Sequence, residues 1–277
     1  MTPPHGDKKD YIRLLLETDC LRDDLTRSII AWLDLPTGSR GLDAGCGVGS
    51  NTLLLAEAIG DGGRVTGLDI AEDLLHIAEE RARRRGLKDL TGFRQGDVNS
   101  LAFSPETFDW AWSADCIGPG TGDPIGQTNA LAKVVRQGGS VIILAWSAQN
   151  LLPGYPLLEA RLNATSAGLA PFKQHMKPEM HLFRGSGWLT SAGLQDVIAR
   201  SFVGDIQAPL DEARRNALGL LFNMRWGEAR GEIEQEDLNL YRRLTDPASP
   251  EFIGDRPDYY GFFTYTVFRG WRGSSAV

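Results

Sequence analysis

The sequence predicts an α/β fold organised around a mostly parallel, doubly wound sheet of seven strands with helices on both faces. Three observations lead there. Between residues 40 and 147 short apolar runs alternate with helical segments, the rhythm of successive β-α-β units. The run at 140–147, SVIILAWS, is almost wholly apolar, as a strand covered on both faces must be. Three alternating glycines, Gly45, Gly47 and Gly49, stand where the first strand gives way to a helix.

The elements follow in order. In the first forty residues Leu21, Leu25, Ile29 and Leu33 recur at helical spacing, and Pro36 with Gly38 closes that helix. Strands are expected at 40–45, 64–70, 90–97, 108–115 and 140–147. Helices at Thr52–Ile59, Ala71–Arg85 and Ile125–Val135 lie between them, with Gly60, Gly86 and Gly138 as the natural stops. After Trp146 the pattern loosens. Pro153, Pro156, Pro171 and Pro178 punctuate 148–184, leaving room for a short helix at Leu157–Ala164. Residues 190–202 read as a helix end running into a sixth strand, and 209–245 as charged and helical. The aromatic and β-branched run at 259–271 reads as the last strand. The expected division is an N-terminal helical segment or lid at 1–39, a core at 40–208 and 259–277, and a helical cap inserted at 209–258.

Composition narrows the function. The chain has 277 residues, 42% hydrophobic and 23% charged, as in ordinary globular proteins. No apolar run approaches the roughly 18 residues of a membrane span, and the N-terminus lacks the apolar stretch of a secretory leader. A cytoplasmic protein with no membrane partner is expected. The net charge of −7 disfavours a nucleic-acid partner, whose phosphates need clustered Lys and Arg. The dense basic run Arg81, Arg83, Arg84 and Arg85 ends a helix, where positive charge complements the dipole and faces water. Cys20, Cys46 and Cys116 are irregularly spaced and form no zinc pattern, so reduced thiols and no metal are expected.

The sharpest signal is Leu42-Asp43-Ala44-Gly45-Cys46-Gly47-Val48-Gly49. Glycine permits left-handed dihedrals and close approach of backbone to a ligand. The amides at the start of the next helix can then meet a polar or anionic group. A dinucleotide loop needs G-x-G-x-x-G; counted from Gly45 its third glycine falls on Ser50, and from Gly47 on Thr52. The spacing here is G-x-G-x-G.

This run resembles motif I of the class I S-adenosylmethionine-dependent methyltransferases, Asp43 included. The resemblance extends through Asp69 in VTGLDIA, Asp97 in QGDVNSLAF, the strand FDWAWSAD and the turn and strand of VVRQGGSVIILAW. It spans about residues 40–147 in order, and more weakly 185–205 and 262–268. It implies a Rossmann-like sheet and S-adenosylmethionine as cofactor. Gly45, Cys46, Gly47 and Gly49 would then surround its methionine portion, and Asp43 would either position the glycine loop or bind the cofactor's amino group rather than act as a base. Asp69 would take the ribose hydroxyls and Asp97 would lie near the adenine amino group, with Ile70 and Val98 beside them. Ser113 would face the ligand from the fourth strand. Tyr11 and Arg13 would belong to a helix closing over the cofactor. A carboxylate accepting from both ribose hydroxyls contributes about 1.5–3 kcal/mol per charge-assisted bond. Cys46 reads as a small buried filler rather than a nucleophile, because no activating base is evident.

Methyl transfer from a sulfonium is an in-line displacement in which alignment supplies much of the rate. A base is needed only where the acceptor must lose a proton. His181 and His175 are candidates, imidazole titrating near neutrality, and Asp115 is a third. The loop Ser113-Ala114-Asp115-Cys116-Ile117-Gly118 lacks the N-P-P-Y or D-P-P-Y run of enzymes that methylate exocyclic amines, which favours a small-molecule acceptor. Segments 148–184 and 209–260 can cover it; Trp188, Trp226, Tyr259 and Tyr260 are candidates for an aromatic lining, with ordinary core packing the favoured reading for most of them. The rival readings are an NAD(P)-dependent oxidoreductase and a non-catalytic S-adenosylmethionine-binding module. A protein or RNA methyltransferase is disfavoured by charge.

Overall fold

A computed structural model describes residues 8–173 and 175–273. Helices α1 (Lys8–Glu17) and α2 (Asp19–Leu33) precede strand β1 (Arg40–Ala44). Then come α3 (Ser50–Ile59), β2 (Arg64–Asp69), α4 (Glu72–Arg84), β3 (Thr91–Gln95), β4 (Phe108–Ala114), α5 (Pro124–Val134) and β5 (Val135–Asn150). The chain continues through α6 (Pro156–Asn163), the single turn α7 (Ser166–Leu169), two 3-10 turns, α8 (Gly185–Ser191) and β6 (Leu194–Gln207). It ends with α9 (Glu212–Trp226), α10 (Gln235–Thr245), a further 3-10 turn and β7 (Tyr260–Arg272).

The seven strands lie in the order β3-β2-β1-β4-β5-β7-β6. The first five are parallel, and β7 enters antiparallel between β5 and β6. Strand order reverses between β1 and β4, and such a switch point leaves a crevice at the carboxyl ends of the strands. The glycine run begins at that crevice.

Alternation along β5 supplies both faces of the core. Ile142 and Leu144 join Trp110 and Trp112 under α2, α3 and α9; Val141 and Ile143 join Phe108 and Phe268 under α5 and α8. In α2 the residues at helical spacing, Leu21, Leu25, Ile29 and Leu33, are all buried. That helix ends before Pro36, at Asp34, which adopts the left-handed conformation (φ 48°). The stretch 209–258 is continuous with the same core: Leu218, Leu221, Phe222, Trp226, Leu238, Tyr241 and Leu244 pack with it. Trp188, Trp226 and Tyr259 are fully buried packing residues rather than pocket lining; Tyr260 is exposed and donates to Asp205.

Gly138 does not stop α5, as the spacing suggests. The helix ends at Val134, and Val135 already pairs with Phe108 in β5. Gly138 (φ 74°) sits within an irregular start of that strand, where the register slips between Phe108 and Trp110. A Cβ on the next residue, Gly139, would lie 2.3 Å from the Asp109 carbonyl, so the bulge needs this glycine pair. Among the described residues no helix is long and apolar enough to cross a membrane.

Candidate active site

Gly45, Gly47 and Gly49 all have positive φ (83°, 53° and 79°). A Cβ on Gly45 would lie 2.4 Å from Cys116 Sγ, and one on Gly49 2.8 Å from Ala78 Cβ. At Gly45 and Gly49 dihedral and space both disfavour other residues, and at Gly47 the dihedral alone does. Gly45 and Cys46 donate their amides to the Leu68 carbonyl at 2.8 and 2.9 Å, which bends the loop over β2. Gly47 donates to Asp69 Oδ2 at 2.8 Å, and Ala71 to Asp69 Oδ1 at 3.0 Å. One carboxylate thus holds the loop and starts α4, and each oxygen retains lone-pair capacity for a hydroxyl.

Asp43 lies beneath, 1% exposed. Its Oδ2 accepts from Thr52 Oγ1 at 2.6 Å, while Oδ1 has no partner among the described residues. Burial pushes this carboxyl up to about 7, against the pull of the Thr52 bond. Cys46 is buried, with Sγ against Gly67, and burial raises its thiol well above the usual range. It is the filler expected.

Asp97 stands two residues beyond the end of β3, and its Oδ1 accepts from Asn99 N and Nδ2, both at 2.8 Å. That is a turn-forming aspartate, and its Oδ2 is left for a ligand. Val98 is buried, whereas Ile70, next to Asp69, is 47% exposed. Ser113 corrects the expectation of a ligand-facing hydroxyl: it is fully buried and donates to the Ala44 carbonyl at 2.8 Å, linking β4 to β1. Arg13 also departs from its expected place. It points outward from α1 and pairs with Glu17 at 3.0 Å.

Tyr11 points the other way. Its half-buried phenol is raised above the ordinary range, first by desolvation and then by the charges of Asp69, Cys116 and Asp115. One turn on, Leu15 packs 3.7 Å from where a Gly47 Cβ would be. The helix therefore lies across the glycine loop.

Asp115 has a left-handed backbone (φ 51°). Its Oδ1 accepts from Trp146 N at 3.0 Å, and Oδ2 accepts from the Tyr265 hydroxyl, tying β4 to β5 and β7. His181 caps a 3-10 turn, its Nδ1 accepting from Phe183 N at 3.3 Å, and packs edge-on against Phe172. His175 is exposed. The structure does not bring the two histidines and Asp115 into one hydrogen-bonded group.

The sequence reading missed the charges behind the loop. Arg81 is not part of a solvated helix end: its side chain is 20% exposed and turns inward. It donates to Val48 O at 2.9 Å, Ser50 Oγ at 2.8 Å and Asp19 Oδ2 at 2.7 Å, while Ser50 Oγ donates to the same Asp19 oxygen at 2.6 Å. Arg83 and Arg84 do pair with Glu80, and Arg85 with Glu57, on the surface. The Asp19–Ser50–Arg81 cluster pins the start of α3 to α2 and α4. Beside it a cavity of about 40 Å³ is lined by Arg22, Ser50, Asn51, Trp112, Asp115 and Tyr265. A charged pair at i, i+3, Asp19 and Arg22, on an otherwise apolar helix face was the one local sign of it.

Residues 42–139 match a family model described as a methyltransferase domain. The matched stretch carries β1 to β4 and the glycine loop, and with the strand order it is similar to the class I S-adenosylmethionine-dependent methyltransferases. It is 32% identical over 123 residues to the demethylmenaquinone methyltransferase of Anoxybacillus flavithermus, covering 43% of this chain and 50% of that protein. It is 27% identical over 200 residues to the Staphylococcus epidermidis protein of the same name, covering 66% and 78%. The chain thus spans about half the length of several of the curated relatives it matches. The crystal structure of YcgJ from Bacillus subtilis shares the fold, with a TM-score of 0.58 at 17% identity over 91% of this chain and 100% of that one.

Proposed function

We propose that this protein transfers the methyl group of S-adenosylmethionine to a small-molecule acceptor. The carrying observation is the glycine loop held by Asp69 at the β1/β4 switch point, a turn that positive φ at Gly45, Gly47 and Gly49 makes possible. The residues present fit the cofactor. Asp69 retains acceptor capacity for two ribose hydroxyls, Ile70 offers an exposed apolar side chain beside it, and Asp97 Oδ2 is unspent. The amide end of α3 favours a carboxylate. When bound, the cofactor supplies a methyl group already activated on sulfur.

The protein's task is then to orient the acceptor and exclude water. The segment after β5 supports that role: Pro171 packs 3.0 Å from where a Gly120 Cβ would be, against the loop that follows β4. With α9 it walls the acceptor side. The names of the curated relatives support a quinoid or related aromatic acceptor, and the net charge of −7 favours a small molecule over nucleic acid. His181, with Nε2 uncommitted, serves as base where the acceptor must lose a proton.

Calorimetric titration with S-adenosylmethionine, S-adenosylhomocysteine and NAD tests the reading. Both sulfur ligands should bind and NAD should not. Asp69→Ala should weaken binding by roughly ten- to a hundredfold. Binding of NAD alone, or of no ligand by folded protein, refutes the proposal.

A further inference from the structure

We propose that Gln127 is a positioning residue that, through Asn99, couples the adenine end of the cofactor site to the loop 116–122 on the acceptor side. This rests on the reading of the chain as a methyltransferase and adds to it a link between its two ligand sites. Gln127 lies in α5 and is 1% exposed, so its amide must be satisfied from within the protein. Its Oε1 accepts from Gly118 N at 3.2 Å, and its Nε2 donates to Asn99 Oδ1 and Thr121 Oγ1, both at 3.1 Å. Asn99 donates Nδ2 to Asp97 Oδ1 at 2.8 Å and to Thr121 O at 3.1 Å. The Thr121 hydroxyl in turn donates within the loop, to Cys116 O and Gly118 O.

Both N–H groups of each amide are spent, and each amide oxygen accepts one bond. Because a side-chain amide is planar and moves as a unit, neither can turn over without breaking all of its bonds. The loop backbone packs directly on the pair: a Cβ on Gly122 would lie 2.4 Å from Asn99 Oδ1 and 3.0 Å from Gln127 Nε2. In the sheet β3 and β4 are separated by β2 and β1, so this chain of bonds is a bridge across the strand ends that the sheet does not provide. At one end Asp97 keeps Oδ2 for a ligand. At the other, Cys116 Sγ lies 2.4 Å from where a Gly45 Cβ would be, and Pro171 packs 3.0 Å from the corresponding point on Gly120. A ligand that donates to Asp97 fixes the carboxylate, the carboxylate fixes Asn99, and Asn99 with Gln127 fixes the loop. Severing one such neutral link should change the opening equilibrium of the loop roughly three- to tenfold.

Hydrogen–deuterium exchange of the full chain, read by mass spectrometry with and without saturating adenosine, tests the coupling. Adenosine carries the adenine and ribose of the cofactor but not its amino-acid end. In the parent protein it should slow exchange at 96–99 and, roughly three- to tenfold, at 116–122. In Asn99→Ala, at an exposed position, the slowing should persist at 96–99 and vanish at 116–122. Gln127→Met should do the same, and should raise exchange of 116–122 in the free protein roughly tenfold, because Gly118 N loses its acceptor. Should that variant not fold, Asn99→Ala still decides. Gln235→Ala, which removes a surface bond to Asn239, should change nothing. Equal slowing of 116–122 in Asn99→Ala and the parent means that adenosine touches the loop directly, and overturns the proposal. Slowing by S-adenosylhomocysteine but not by bound adenosine also overturns it, because the cause then lies at the amino-acid end. If the folded protein binds neither ligand, the methyltransferase reading fails and the coupling falls with it; exchange of the free Gln127→Met variant then reads the anchoring of the loop alone.

Discussion

Replacing Asp43 by asparagine should change how stability depends on pH. Asp43 is 1% exposed, has one oxygen without a partner, and titrates at about 7 instead of the ordinary 3.8. Between those values the folded protein holds a proton that the unfolded chain has lost. Stability must therefore fall as pH rises from about 4 to 7, by up to ~1.4 kcal/mol per pH unit. Integrated over the interval the loss is about 4 kcal/mol. The asparagine of Asp43→Asn has the same shape and no charge, so its contribution is flat across that window. It leaves an amide N–H where Oδ1 stood, an offset of ~1–3 kcal/mol that does not vary with pH. The assay is urea unfolding of both proteins, without ligand, from pH 4.5 to 8.5. The difference curve should slope steadily up to about pH 7 in favour of the variant and flatten above it. Parallel curves would refute the reasoning and mean that Asp43 is ionised and solvated through some path the burial does not reveal.

Two further outcomes follow from the loop and its support. Gly49→Ala combines a left-handed φ with a Cβ 2.8 Å from Ala78, so it should cost about 2–3 kcal/mol in denaturant unfolding. Gly86→Ala, also at positive φ but with open space around it, should cost only about 1 kcal/mol. Arg81→Met leaves Asp19, whose side chain is 13% exposed, with Ser50 and the longer Arg22 contact at 3.5 Å, and should cost about 1–3 kcal/mol. The double variant Asp19→Asn, Arg81→Met should recover part of that loss in a double-mutant cycle, and strict additivity would argue against the cluster as a unit.

β1, β2 and β4 were legible because each is a short, largely buried run, and the helices because α2 and α4 bury one regular stripe. The loop was legible because positive φ at three alternating positions admits little but glycine. Elsewhere the sequence was silent for identifiable reasons. Ser113 and Asp97 have the residue types of ligand contacts, but bonds to Ala44 and Asn99 are decided by register and turn geometry. Arg81 sits in a basic run and differs from Arg83 and Arg84 only in the direction it leaves the helix. The Asp115–Tyr265 bond joins residues 150 positions apart, and nothing local marks Tyr265 among the aromatics of β7. The start of β5 at Val135 was hidden because Val134 and Val135 suit helix and strand alike.

Helix α1 has a consequence for rates. None of its ten residues is buried, and it is held by the exposed Lys8–Asp73 ion pair at 3.0 Å, by Leu15 against the loop and by its packing on α9 and α2. On the proposed reading α1, through Leu15, lies across the glycine loop that would receive the cofactor, so the protein competes with its own ligand. The measured dissociation constant then equals the intrinsic one divided by the fraction of molecules with α1 displaced; one molecule in ten open costs about 1.4 kcal/mol of affinity. Association should reach a plateau at high ligand concentration, set by the rate at which the helix leaves. Salt, which screens an exposed lysine–aspartate pair, should raise the open fraction and tighten binding, the reverse of its usual effect on charged ligands.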